Sequence, residues 1–122
     1  MAFHNDLGAD GEDLAVSYMK RKGFTILDRN WHFGHKELDM VARNESMLVI
    51  AEVKTRSSTE FGQPEDAVDD RKIRRIVSAA DCYIKRCQID LPVRFDIISI
   101  VRQNGNVAIN HIENAFFPPI WN

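Results

Sequence analysis

KELDMVARNESMLVIAEVKTR, residues 36–56, parses into two adjacent strands, and the fold follows from that parse. Residues 37–42 form one strand and residues 47–54 the other; the polar Arg43-Asn44-Glu45-Ser46 between them is a short turn. Strand side chains alternate faces, so Leu48, Ile50, Glu52 and Lys54 point one way and Val49, Ala51 and Val53 the other. On the first strand Glu37, Asp39 and Val41 share a face, opposite Leu38 and Met40. A hairpin that folds Asp39 towards Glu52 brings two carboxylates and one ammonium together at the end of an apolar sheet. The plain alternative is a cross-strand ion pair at a strand end.

Working outward, a first helix is expected over residues 6–22, capped by Asn5 or Asp6 and stopped by Gly23, with Lys20, Arg21 and Lys22 suiting its negative end. Leu7, Leu14, Ala15, Tyr18 and Met19 make its apolar stripe, and Glu12 lies beside that stripe while Asp13 turns outward. Residues 24–29 read as a strand, and Asn30 to His35 lead into the hairpin; Trp31 and Phe33 suit either a core or an exposed aromatic loop. His32 and His35 have the spacing of a metal pair, but no clustered cysteine or further histidine supports zinc. Thr55 to Pro64 is a polar loop. A second helix follows, from Asp69 or Asp70 to Arg86, with Ile73, Ile76, Val77, Ala80, Tyr83, Ile84 and Cys87 as its stripe. Residues 93–101 form a strand, Asn104-Gly105 a turn, and residues 107–112 the last strand. The order α-β-β-β-α-β-β gives an α/β fold: a three-strand meander, a crossover helix, a strand returning parallel to the third, and helices flanking one mixed sheet. The apolar tail, residues 113–122, either packs back on the domain or meets a protein partner.

With 122 residues, 44% apolar and 28% charged, the chain is expected to be one globular domain over residues 1–122. The longest apolar run, Met47 to Ala51, is too short to cross a bilayer, and the start lacks a secretory signal, so no membrane role is expected. Cys82 and Cys87 fall about 140° apart on a helix, which suits reduced thiols in the cytoplasm. A formal charge of −2 argues against coating nucleic acid by bulk charge, yet the charge is patchy, with Arg71-Lys72-Ile73-Arg74-Arg75 strongly basic.

Placing Glu12, Asp39, Glu52 and Lys54 together narrows the chemistry. Carboxylates at a sheet end make a hard oxygen site, which suits Mg²⁺ or Mn²⁺; Mg²⁺ keeps several waters, so Asp39 and Glu52 suffice as charged ligands. Such an ion activates water and polarises a phosphoryl oxygen, and Lys54 could orient the water or offset charge on phosphorus.

Asp39 followed by Glu52-Val53-Lys54 resembles the PD-(D/E)xK nuclease signature, with Leu38 where that motif has proline. Glu12 resembles the helix-borne carboxylate of archaeal Holliday-junction resolvases. More specifically the chain resembles the bacterial YraN-like family of predicted endonucleases, through Gly11-Glu12 with Ala15 and Tyr18, Arg29-Asn30-Trp31, Glu37-Leu38-Asp39, Glu52-Val53-Lys54-Thr55-Arg56, Phe61-Gly62 with Ala67-Val68, Arg71-Lys72, and Arg94-Phe95-Asp96. Lys36 stands where the family often has glycine.

The resemblance implies a restriction-endonuclease-like fold and a metal-dependent DNA endonuclease acting on branched or damaged DNA in repair or recombination. Asp39 and Glu52 would hold the metal, Glu12 would add a ligand directly or through water, and Lys54 would assist the water. Thr55, Arg56, Arg71, Lys72, Arg74 and Arg75 are candidate phosphate contacts. Cutting two strands calls for a twofold homodimer by symmetry. The rival reading is a non-catalytic nucleic-acid-binding or adaptor module on the same sheet.

Overall fold

Three layers build the molecule, and in the computed structural model they are described for residues 7–57 and 69–116. The elements are α1 (Leu7–Arg21), β1 (Thr25–Phe33), β2 (Lys36–Arg43), β3 (Leu48–Ser57), α2 (Asp70–Cys87), β4 (Val93–Gln103) and β5 (Asn106–Ile112). The strands lie in sequence order in one sheet. β1–β2, β2–β3 and β4–β5 are antiparallel, and β3–β4 is parallel, joined across α2. The expected mixed sheet with flanking helices is the observed architecture. The segment 58–68, which holds Phe61-Gly62 and Ala67-Val68, lies outside the described residues, as does the tail from residue 117.

Side-chain alternation on the central strands divides the core in two. Leu48, Ile50 and Ile97 pack with Ile76, Ala79, Ala80 and Tyr83 of α2 on one face. Val49, Ala51, Ile98 and Ile100 pack with Ala15, Val16 and Met19 of α1 on the other. These central strands are apolar on both faces because both are covered. The Asn44 side chain closes the β2–β3 turn by accepting from the Ser46 and Met47 N–H groups at 2.8 and 2.9 Å, an Asx turn. Asn104 and Gly105, at φ 50° and 81°, make the two-residue β4–β5 turn that the Asn-Gly pair signals. Asp69 caps α2 by accepting from Lys72 N–H at 2.9 Å, and Gln88 in the left-handed region ends it.

Three expectations are corrected. β1 runs on to Phe33 rather than ending at Arg29, because residues 31–33 pair with residues 36–38. β3 runs through Thr55 to Ser57 rather than opening into a loop at Thr55, because β4 pairs with it as far as Arg102. Leu38 packs on the α2 side with Val41, not opposite it. The cause of the last is Asn30, at φ 48°, which breaks the alternation of β1. Arg29 and Asn30 both turn to α1, reaching Asp13 at 2.8 Å and Glu12 at 2.9 Å; Trp31 then falls on the α2 side and its cross-strand partner Leu38 follows.

α1 lies close against the end of β3 at Gly11, where an added Cβ would collide with Thr55 Oγ1 and crowd its Cβ and Cγ2. Gly11→Ala gains roughly 1 kcal/mol of helix propensity but meets overpacking that costs about 1–3 kcal/mol. A net loss of stability is expected in urea unfolding. In a Thr55→Ala background the same substitution should cost less, since the Oγ1 collision is gone and only the 3.3 Å approach to the residue-55 Cβ remains.

The start of the tail packs back. Ala115 N–H donates to Phe95 carbonyl at 2.8 Å, and Phe116 stacks on Phe95 with ring centroids 5.3 Å apart.

Candidate active site

The backbone register of β2 and β3 ends at Met40 opposite Ala51, so the next residues to face each other are Asp39 and Glu52. There the strands are joined by side chains instead of a ladder. Val53 N–H donates to Asp39 Oδ2 at 2.9 Å, and the Asp39 N–H bonds the Glu52 carboxylate. The two acids are thereby fixed at the point where the sheet opens. Glu52 is only 6% exposed. Burial, and then the Asp39 charge, push its carboxyl up to about 7. Burial likewise raises Asp39 above the usual carboxylate range, against the pull of the Val53 N–H and Lys54.

Two lysines meet this pair. Lys54, on the Glu52 face of β3, has its ammonium disfavoured by burial and by the adjacent Lys72 side chain. Lys72, on the first turn of α2, stands 3.8 Å from Glu52 Oε1. Beside them opens a groove of about 660 Å³. Asp39, Glu52 and Glu37 line its acidic side; Arg71, Lys72, Arg74 and Arg75 line its basic side, with His35, Lys36, Ile76 and Ser78 completing the wall. Lys36 Nζ donates to Ser78 Oγ at 2.7 Å and ties β2 to α2.

The sequence-derived candidates separate accordingly. Asp39, Glu52, Lys54 and Lys72 come together, and Arg71, Arg74 and Arg75 join them along the groove. Glu12 is on α1 and accepts from Asn30 Nδ2 at 2.9 Å; it does not line the groove, but its charge is near enough to Asp39 to raise that carboxyl. Thr55 faces Gly11 of α1. Arg56 is two residues beyond Lys54 on the same strand face. His32 is engaged by Glu37 at 3.1 Å and by the Asn30 carbonyl at 2.9 Å, while His35 lines the groove. Sequence reading missed the approach of Lys72 to Glu52, and Lys36 as a wall residue.

Among the described residues no group of three or more His, Cys, Asp or Glu side chains is placed to hold a metal ion. The donor set still fits an ion such as Mg²⁺, which needs one or two carboxylates and completes its shell with water. Both acids sit above their ordinary range although two lysines are near, so further positive charge would be favoured there. Mg²⁺ or Mn²⁺ would be held by Asp39 and Glu52, while one oxygen of Glu12 accepts from Asn30.

The titration of Glu52 makes a stability prediction. Its folded value, about 7, lies above the ordinary 4.5, so the folded protein binds more protons between those limits. Without divalent ions, stability is therefore expected to fall as pH rises from about 5 to 8, by about 2–3 kcal/mol from this group. Urea unfolding in EDTA at several pH values checks the sign.

No helix among the described residues is long and apolar enough to cross a membrane. The sequence profile described as "Uncharacterised protein family UPF0102" matches residues 11–100. Similar proteins include a UPF0102 protein of Phocaeicola vulgatus, 54% identical over 99% of this chain and 100% of its own length. Another, from Bacteroides thetaiotaomicron, is 58% identical over the same shares. One from Parabacteroides distasonis is 50% identical over 98% of each chain.

Proposed function

From a chain that belongs to the UPF0102 family, whose name assigns no chemistry, we propose a metal-dependent endonuclease that hydrolyses phosphodiester bonds in DNA, with branched or damaged DNA as the expected substrate. The observation that carries the reading is the Asp39–Glu52 pair with Lys54 and Lys72 at the edge of a groove walled by Arg71, Arg74 and Arg75. A buried and a half-buried acid with raised proton affinity next to a row of arginines are an unusual combination for a surface that only needs to be soluble. They suit a site that gathers an anion and a divalent cation together.

Each residue then has a part. Arg71, Arg74 and Arg75 neutralise phosphates along the strand and set its register. Asp39 and Glu52, held by the Val53 and Asp39 N–H groups, would be the carboxylates that hold the cation. Lys54 loses its proton more readily than an ordinary lysine, which suits it to hold the attacking water and accept a proton from it. Lys72 lies near enough to Glu52 to meet the phosphate undergoing attack. When bound, the ion would supply Lewis-acid polarisation of the phosphoryl oxygen and a more acidic water. The reading places the protein in the cytoplasm, with both cysteines free, as a twofold dimer where two strands are cut.

One observation favours the rival adaptor reading: among the described residues no three acidic or histidine side chains converge where they could hold a metal ion. Labelled linear, single-stranded, flapped and four-way-junction DNA, incubated with Mg²⁺, Mn²⁺ or EDTA, separates the two. Cleavage that EDTA abolishes supports the nuclease. Binding that weakens with salt, ignores the metal and leaves every DNA intact would replace it with the adaptor.

A further inference from the structure

We propose that Phe33 is a stacking site for an unpaired nucleobase, on a strand whose phosphates follow α2 from the Asp39–Glu52 site; this rests on the nucleic-acid reading of the groove and deepens it by naming a substrate feature. Phe33 is 45% exposed, and among the described residues the one other exposed large apolar side chain is Leu27. Its ring is held from behind. Tyr83, buried on α2, meets Trp31 edge-on at 5.2 Å, and Trp31 lies nearly parallel to Phe33, with centroids 6.4 Å apart and planes 14° apart. The guanidinium of Arg86 sits 4.0 Å from the Phe33 centroid. An aromatic ladder thus runs from the core to the surface and ends in an exposed ring with the Arg86 guanidinium over its face, the outermost plane of the stack.

Its place relates it to the groove. Phe33 pairs across the β1–β2 ladder with Lys36, a residue of the groove wall. α2 carries the same strip of surface from Lys72 to Arg86, about 21 Å at 1.5 Å per residue, with Arg75 between them. That span equals about six duplex steps at 3.4 Å. Base–aromatic stacking tolerates any base and needs a free base face, which a strand in a duplex does not offer and a single strand, flap or open junction does. The Arg86 guanidinium, lying over the Phe33 ring, adds a second planar group that stacks on a base or meets its phosphate.

Fluorescence anisotropy in EDTA, which keeps the DNA whole, tests this with a labelled 12-nucleotide single strand and a blunt duplex of the same sequence. Phe33→Ala is expected to weaken single-strand binding about fivefold or more and to leave duplex binding unchanged within twofold. Phe33→Trp should retain single-strand binding, and Arg75→Ala should weaken both DNAs. Unchanged single-strand affinity in Phe33→Ala, with or without a lower melting temperature, overturns the stacking site, as does an equal loss on both DNAs. In either case a loss on both in Arg75→Ala leaves the groove's nucleic-acid reading standing. Wild-type protein that binds neither DNA overturns both.

Discussion

Glu52→Gln is expected to stop cleavage and, at the same time, to make the protein more stable. The glutamine keeps the shape of the side chain but removes an anionic ligand, and changes in the outer shell of metal sites already cost about 10–100-fold. A loss of about 100-fold or more in metal-stimulated cleavage is therefore expected. On stability the sign reverses. At pH 8 the ionised Glu52 is held in a site that pushes its carboxyl to about 7, and an uncharged side chain escapes that penalty. The gain is about 1–3 kcal/mol at pH 8 and vanishes near pH 4, below the ordinary 4.5, where the glutamic acid is protonated in both states. Urea unfolding in EDTA at the two pH values, beside a single-turnover cleavage assay, measures both. If Glu52 served mainly as an ion-pair partner of Lys54 and Lys72, the same substitution would destabilise the protein at pH 8.

The largest loss of stability is expected at the opposite side of the sheet, in Asp96→Ala. Asp96 is fully buried on β4 and collects four donors. Arg94 donates from Nε and Nη2 at 2.9 Å each, His111 Nε2 lies at 2.7 Å, and Asn114 N–H at 3.1 Å. An ionised carboxylate only accepts, so His111 carries its proton on Nε2 when neutral, and its Nδ1 then accepts from Tyr18 hydroxyl at 2.9 Å. Lys22 completes the chain at the Tyr18 oxygen, 3.3 Å away. The network ties α1, β4, β5 and the segment after β5 together. Burial alone would raise the Asp96 carboxyl, but the bonds from His111 and Arg94 outweigh it and hold it below the usual range. Its contribution is thus present at neutral pH and is lost as pH falls through that depressed value. Removing it leaves Arg94 and His111 without their acceptor, at a cost of about 3–5 kcal/mol in urea unfolding at pH 7. Asp96→Asn should cost less, because one acceptor oxygen remains.

Much of this was legible in the chain itself, for local reasons. Alternation and the Asn44 turn put Asp39 opposite Glu52, and the stripe from Ile73 to Ile84 with its Asp69 cap defined α2. The Asn104-Gly105 pair fixed the last hairpin. What escaped depends on single backbone conformations or on distant packing. Nothing local announces that Asn30 takes a positive φ, yet that residue turns Trp31 towards α2 and engages Glu12. The approach of Lys72 to Glu52 follows from how α2 lies over the sheet, which periodicity does not reveal. Asp96 left a faint signal: a lone acid inside VRFDIISIV, with an arginine two residues earlier and His111 on the neighbouring strand.

Single-turnover cleavage of the best-cut DNA by wild type and by a folded Asp39→Ala variant, each with Mg²⁺ and with EDTA, tests the central claim most directly. The account predicts cutting only by wild type with Mg²⁺. Equal cutting by Asp39→Ala, or cutting that survives EDTA, would contradict it.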